Sequence, residues 1–199
     1  MLRDLGSRDS EFIEVVGEIR RELLELGEVN SDTYTTIPMQ GSGTFAIESV
    51  FSSTVPPGGK VLIARNGAYG KRMAALCETL KIDHVVAIFR EDQIVDPAVI
   101  ARYLQEDPDL THVAIVHCET TTGIMNPIEE LGEMVRAAGR SYFVDAMSSF
   151  GAVRLNLAKS NIDYLVSSAN KCIEGVPGFA FVIARREAIE VTEGYARSL

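Results

Sequence analysis

Seven short apolar runs rich in β-branched residues, most of them separated by stretches of helical periodicity, constrain this chain more than any other feature. The runs are Tyr34 to Met39, Lys60 to Ala64, His84 to Phe89, His112 to Val116, Ser141 to Val144, Asp163 to Val166 and Phe179 to Ile183. Helical spacing is read over Thr44 to Ser53, Tyr69 to Leu80, Asp96 to Gln105 and Pro127 to Ala138. An amphipathic helix over Ser10 to Leu26 precedes the first run, and a further helix is predicted from Arg186 to Leu199. Strands joined by helices of this length need right-handed crossovers, so the expected class is α/β with a mostly parallel sheet. No repeat, low-complexity tract or linker divides the chain, and 1–199 reads as one domain.

Charge and cysteine usage narrow the function. With 28 acidic against 19 basic residues, the net charge of −9 repels nucleic-acid backbones and anionic membranes. No run approaches the ~20 apolar residues that span a bilayer, and a cytoplasmic protein is expected. Cys77, Cys118 and Cys172 are odd in number and widely spaced, which fits neither a disulfide framework nor a metal knuckle. His84, His112 and His117 lack the paired spacing of zinc ligands, so no metal is expected. A mean hydropathy of +0.09 leaves room for apolar surface facing a partner subunit.

In open α/β sheets ligands lie beyond the carboxyl ends of the strands, so the residues after each run carry the chemistry. Gln40-Gly41-Ser42-Gly43-Thr44 leads straight into a helix, where free N–H groups and the helix dipole favour a phosphate; an ordinary capped turn reads the same way. Asp145 ends an apolar run, either as a carboxylate awaiting a cationic partner or as a cap for the turn that follows. Lys171 stands between two apolar runs beside a Gly-Pro turn, as a functional amine or as a loop lysine whose stem crosses apolar surface. His117-Cys118-Glu119-Thr120-Thr121-Thr122-Gly123 offers short hydroxyls to a ligand or simply turns the chain. No GxSxG marks a serine hydrolase.

Taken in order, QGSGTFAIE, NGAYGKRM, HCETTTGIMNP, FVDAMSSFG and SSANKCIEGVPGFAFVIAR resemble the class V branch of the fold type I pyridoxal-phosphate (PLP) dependent aminotransferases, over essentially the whole chain. The resemblance implies a three-layer α/β/α fold with a mostly parallel mixed sheet, PLP as cofactor, and a homodimer with sites at the subunit interface. It implies that Lys171 is the Schiff-base lysine and moves the proton at the substrate carbon, and that Asp145 pairs with the pyridine nitrogen. Ser42, Gly43 and Thr44 are implied to hold the cofactor phosphate with help from Asn170, Tyr69 to stack on the ring, and Thr120 to lie near its phenolic oxygen. The lysine segment and the opening LRDLGSRDSEF look most like enzymes that pass the amino group of 2-aminoethylphosphonate to pyruvate, giving phosphonoacetaldehyde and L-alanine. An alanine or serine donor with glyoxylate or pyruvate is the nearer alternative, and a non-catalytic assembly module the more distant one. The family also carries a C-terminal small domain with a carboxylate-binding arginine, so 1–199 is expected to be the PLP-binding large domain without it.

Overall fold

The computed structural model describes residues 4–197. Leu2 and Arg3 of the opening motif, and Ser198 and Leu199 at the other end, lie outside the described residues. Strands β1 (Tyr34–Gln40), β2 (Lys60–Arg65), β3 (Asp83–Ile88), β4 (Leu110–Val116), β5 (Ser141–Asp145), β6 (Tyr164–Ser168) and β7 (Phe179–Arg185) form one sheet in the order β1-β7-β6-β5-β4-β2-β3. Strands β3, β2, β4, β5 and β6 are mutually parallel. Strand β7 is antiparallel to both β6 and β1, so β1 again runs with the parallel set. The carboxyl ends of β1, β2, β4, β5 and β6 therefore meet at one edge, which is where a ligand site belongs.

The helices are α1 (Ser10–Leu26), α2 (Gly43–Thr54), α3 (Ala68–Leu80), α4 (Pro97–Glu106), α5 (Ile128–Ala137) and α6 (Arg186–Glu190). Because strand side chains alternate between faces, the sheet feeds two separate cores. Leu62, Val113, Ile115, Tyr142 and Val144 join Leu23 and Leu24 of α1, Ile100 of α4 and Leu131 and Val135 of α5. Val61, Ile63, Ala114, Val116 and Phe143 join Ile47, Val50 and Phe51 of α2 and Met73 and Cys77 of α3. Phe51 meets Phe143 edge-on, with centroids 5.1 Å apart, which locks α2 onto β5. The result is the α/β/α sandwich, and the helices from Ser10 to Ala137 fall within a residue or so of their expected positions.

Two expectations are corrected. Strand β6 runs on through Ser167 and Ser168, because both pair with β7 at Phe181 and Ala180. The predicted helix from Arg186 ends at Glu190; Thr192, β-branched, bonds back to the Ile189 carbonyl at 2.8 Å, and Gly194 takes φ +82°. The chain then returns to α2, where Arg197 Nη1 donates to the Val55 carbonyl at 2.9 Å.

The edge opposite the carboxyl ends is closed by a buried ion pair. Asp163 Oδ1 accepts from Arg185 Nε at 2.9 Å, and Oδ2 accepts from the Tyr142 amide at 2.9 Å, so one carboxylate ties β5 to β7. The Arg185 guanidinium lies 4.9 Å from the Tyr34 ring centroid, which brings in β1. Removing one partner strands the other charge. Asp163→Ala is expected to lower the unfolding free energy by about 3 kcal/mol, read as a reduced urea midpoint at unchanged slope.

Candidate active site

At the carboxyl edge the chain makes an open cavity of about 440 Å³. Its lining contains Ser42, Gly43, Thr44, Tyr69, Thr120, Asn170 and Lys171, residues drawn from four separate segments. One wall is the start of α2. Gly41 takes φ +135°, which turns the chain out of β1, and Ser42 caps the helix by accepting from the Phe45 amide at 3.3 Å. A side chain on Gly43 would put its Cβ 2.3 Å from the Met147 methyl, so backbone rather than side chain faces the cavity there. The Gly41 amide donates to the Gly178 carbonyl at 2.9 Å, fastening this turn to the segment that follows the lysine.

Lys171 is exposed on the turn between β6 and β7. Backbone bonds hold the turn: the Glu174 amide to the Lys171 carbonyl at 2.9 Å, and the Gly175 amide to the Ala169 carbonyl at 2.8 Å. Glu174 adopts φ +58° to close it. Asn170 is exposed beside the lysine, and Thr120 shares a 2.6 Å hydrogen bond with the Ser148 hydroxyl.

Asp145 stands apart from these lining residues, behind the wall. It follows Phe143 by two positions and so shares the α2–α3 face of the sheet. Oδ1 accepts from the Met147 amide at 3.0 Å and caps the turn, while Oδ2 is buried without a hydrogen-bond partner among the described residues. Met147 itself lines the cavity. Burial pushes the Asp145 carboxyl up to about 6; the Glu119 charge adds to this, while the Met147 amide, Arg72 and Lys171 oppose it. A buried carboxylate oxygen with nothing to accept from suits a cationic N–H donor, and a helix N-terminus suits an oxyanion. The residues present therefore fit a phosphorylated, protonated heterocycle.

Four side chains that hold the walls of the cavity escaped the reading of the sequence. Glu119 is fully buried and takes the Gly70 amide at 3.1 Å and the Tyr69 amide at 3.4 Å, holding the first turn of α3 and with it Tyr69. A Cβ on Gly67 would lie 2.5 Å from its carboxyl carbon, which is why the turn before α3 carries glycine. Arg72, on the same helix, reaches Thr44. Asn66 and Asn126 exchange amide hydrogen bonds of 2.9 and 3.1 Å and fix the loops entering α3 and α5. Among the described residues no cluster of His, Cys, Asp or Glu could hold a metal ion, Cys77, Cys118 and Cys172 are free thiols, and no helix is long and apolar enough to cross a membrane.

The sandwich, with its mixed seven-stranded sheet, is the fold of PLP-dependent aminotransferases. The chain belongs to the class V aminotransferase family, whose profile matches residues 1–196; enzymes of this family use PLP. It is similar, at 49% identity over all 199 residues, to the 2-aminoethylphosphonate–pyruvate transaminase of Bacillus cytotoxicus, of which it covers 54%. It is 47% identical to the bifunctional phosphonoacetaldehyde hydrolase/aminoethylphosphonate transaminase of Clostridioides difficile, of which it covers 31%. The chain thus spans about half the length, or less, of these curated relatives. Among solved structures, the alanine–glyoxylate aminotransferase of Nostoc sp. superposes with a TM-score of 0.91 at 26% identity, over 99% of this chain and 51% of that one. The pyridoxamine–pyruvate aminotransferase of Mesorhizobium loti gives 0.89 at 23% identity, over 98% of this chain and 49% of that one.

Burial of Asp145 makes stability depend on pH in a defined direction. Its folded pKa of about 6 lies above the ordinary 3.8, so the folded protein holds the proton more tightly than the unfolded chain. The contribution from this group is greatest below about pH 4 and declines as pH rises to about 6, by roughly 3 kcal/mol. Urea midpoints of the cofactor-free protein between pH 4 and 7 are expected to show that decline and to lose it in Asp145→Asn.

Proposed function

We propose that this chain is the PLP-binding large domain of a transaminase that moves the amino group of 2-aminoethylphosphonate to pyruvate, yielding phosphonoacetaldehyde and L-alanine. The observation that carries the reading is that an amine on a hydrogen-bonded turn and an anion-seeking helix start line one cavity at the carboxyl edge, with a partnerless buried carboxylate oxygen at the end of the neighbouring strand β5. The donor assignment is supported by the relatives of that name at 47 to 49% identity, against 23 to 26% for the glyoxylate- and pyruvate-linked structures described above.

In this reading Lys171 is the amine that would hold PLP through its aldehyde, and Ser42, Gly43 and Thr44 would hold the phosphate at the start of α2. Asp145 Oδ2 would accept from the protonated ring nitrogen, and its negative charge would favour the cationic form of the ring. Tyr69 would pack on the ring face, Thr120 would lie near its phenolic oxygen, and Asn170 would add a contact to the phosphate. Bound PLP supplies an aldehyde that takes up the amino group and an electron-poor ring that draws density from the adjacent carbon. With its amine free, Lys171 would carry the proton to and from the substrate carbon that bears the amino group. The protein acts as a cytoplasmic homodimer, a view supported by its free thiols and by the exposed apolar Phe12, Ile13 and Val15 of α1.

Borohydride reduction of the protein mixed with PLP is expected to leave a stable label on Lys171, located by peptide mass spectrometry; a label confined to other lysines overturns the assignment. In the full-length enzyme, Asp145→Ala is expected to cut turnover of 2-aminoethylphosphonate with pyruvate by at least about a hundredfold. The same enzyme assayed with alanine or serine and glyoxylate separates the alternative donors.

A further inference from the structure

Arg72 places a full positive charge at the mouth of the helix that the reading above assigns to the phosphate. It sits in the second turn of α3, and its Nη1 donates to Thr44 Oγ1 at 3.2 Å. Its guanidinium carbon lies 4.9 Å from the Tyr69 ring centroid, so the group is oriented by an aromatic face as well as by the hydroxyl. Among the described residues lining the cavity, Arg72 and Lys171 are the two cations. Lys171 is committed to the aldehyde end.

The charge balance at the other end then needs a source. A helix N-terminus contributes only about half an elementary charge, against nearly two on a bound phosphate monoester. Glu119 and Asp145 add negative charge close by, and Arg72 is near enough to Asp145 to oppose the rise in its pKa. A guanidinium presents several donors in a fixed plane, matching the oxygens of a phosphate better than a point charge does.

We propose that Arg72 is a phosphate-binding residue: its guanidinium, held between Thr44 and Tyr69, is the counter-charge for the phosphate at the α2 N-terminus. This rests on the cofactor reading and adds the residue that tells a phosphorylated ligand from an unphosphorylated one. The competing role, in which Arg72 merely braces Tyr69, makes a different forecast. A brace affects any ligand that needs the ring platform, whereas a counter-charge matters only when phosphate is present.

The test compares two ligands, pyridoxal phosphate and pyridoxal, by equilibrium titration of the visible absorbance that develops on Lys171, with no turnover involved. Arg72→Met is expected to weaken pyridoxal phosphate about tenfold or more while changing pyridoxal less than about twofold. Arg72→Lys, which keeps the charge without the fork, should fall between parent and Arg72→Met. Inorganic phosphate should compete with pyridoxal phosphate on the parent and lose that competition in Arg72→Met. Equal weakening of both ligands, or of neither, overturns the proposal. If the parent binds neither ligand at Lys171, the cofactor reading fails and this proposal fails with it.

Discussion

A carboxylate kept dry at the end of a central strand is the constraint around which this site is organised. Asp145 surrenders hydration, recovers one hydrogen bond through Oδ1, and leaves Oδ2 with none. Such a group opposes folding unless something positive arrives, so the fold must be stable enough to carry it. The two cores on either side of the sheet and the Asp163–Arg185 pair at the far edge supply that stability. Where Asp163 has both oxygens occupied and a guanidinium against it, Asp145 is left half satisfied. The same residue type is thus fully paired at one end of the strands and half satisfied at the other.

The cavity at the carboxyl edge is assembled mostly from backbone geometry. Gly41 turns the chain, Gly67 makes room for the Glu119 carboxyl, and Glu174 closes the lysine turn at positive φ. Glu119 deserves comparison with Asp145, since both are buried acids near one another. Glu119 spends its charge on the amides of α3, while Asp145 keeps an oxygen in reserve. Their proximity raises the pKa of Asp145, and a cationic ligand reverses that tendency.

Much of this was readable from residue order. The seven strands and five of the six helices announce themselves by hydrophobic period, and the GSGT and ANK segments fall where strand ends must lie. Glu119, Arg72 and the Asn66–Asn126 pair did not, because each works through a partner 28 to 60 positions away. Locally they read as a loop acid, a surface arginine and two turn formers. The C-terminal helix was overcalled because the pattern after Arg186 keeps helical spacing while Thr192 and Gly194 favour turning. Where side chains answer to neighbours in sequence, the order of residues suffices; where they answer to neighbours across the sheet, topology is needed first.

Strand β1 lies at the sheet margin, paired with β7, the last strand of the described residues to be made. During synthesis it therefore has no ladder partner until nearly the whole described chain has left the ribosome. Its glycine turn donates its hydrogen bond to the Gly178 carbonyl, so the α2 end of the cavity cannot settle earlier than the lysine turn. In the proposed reading, capture of a small molecule there is a late event, one that follows the docking of β7 onto β1.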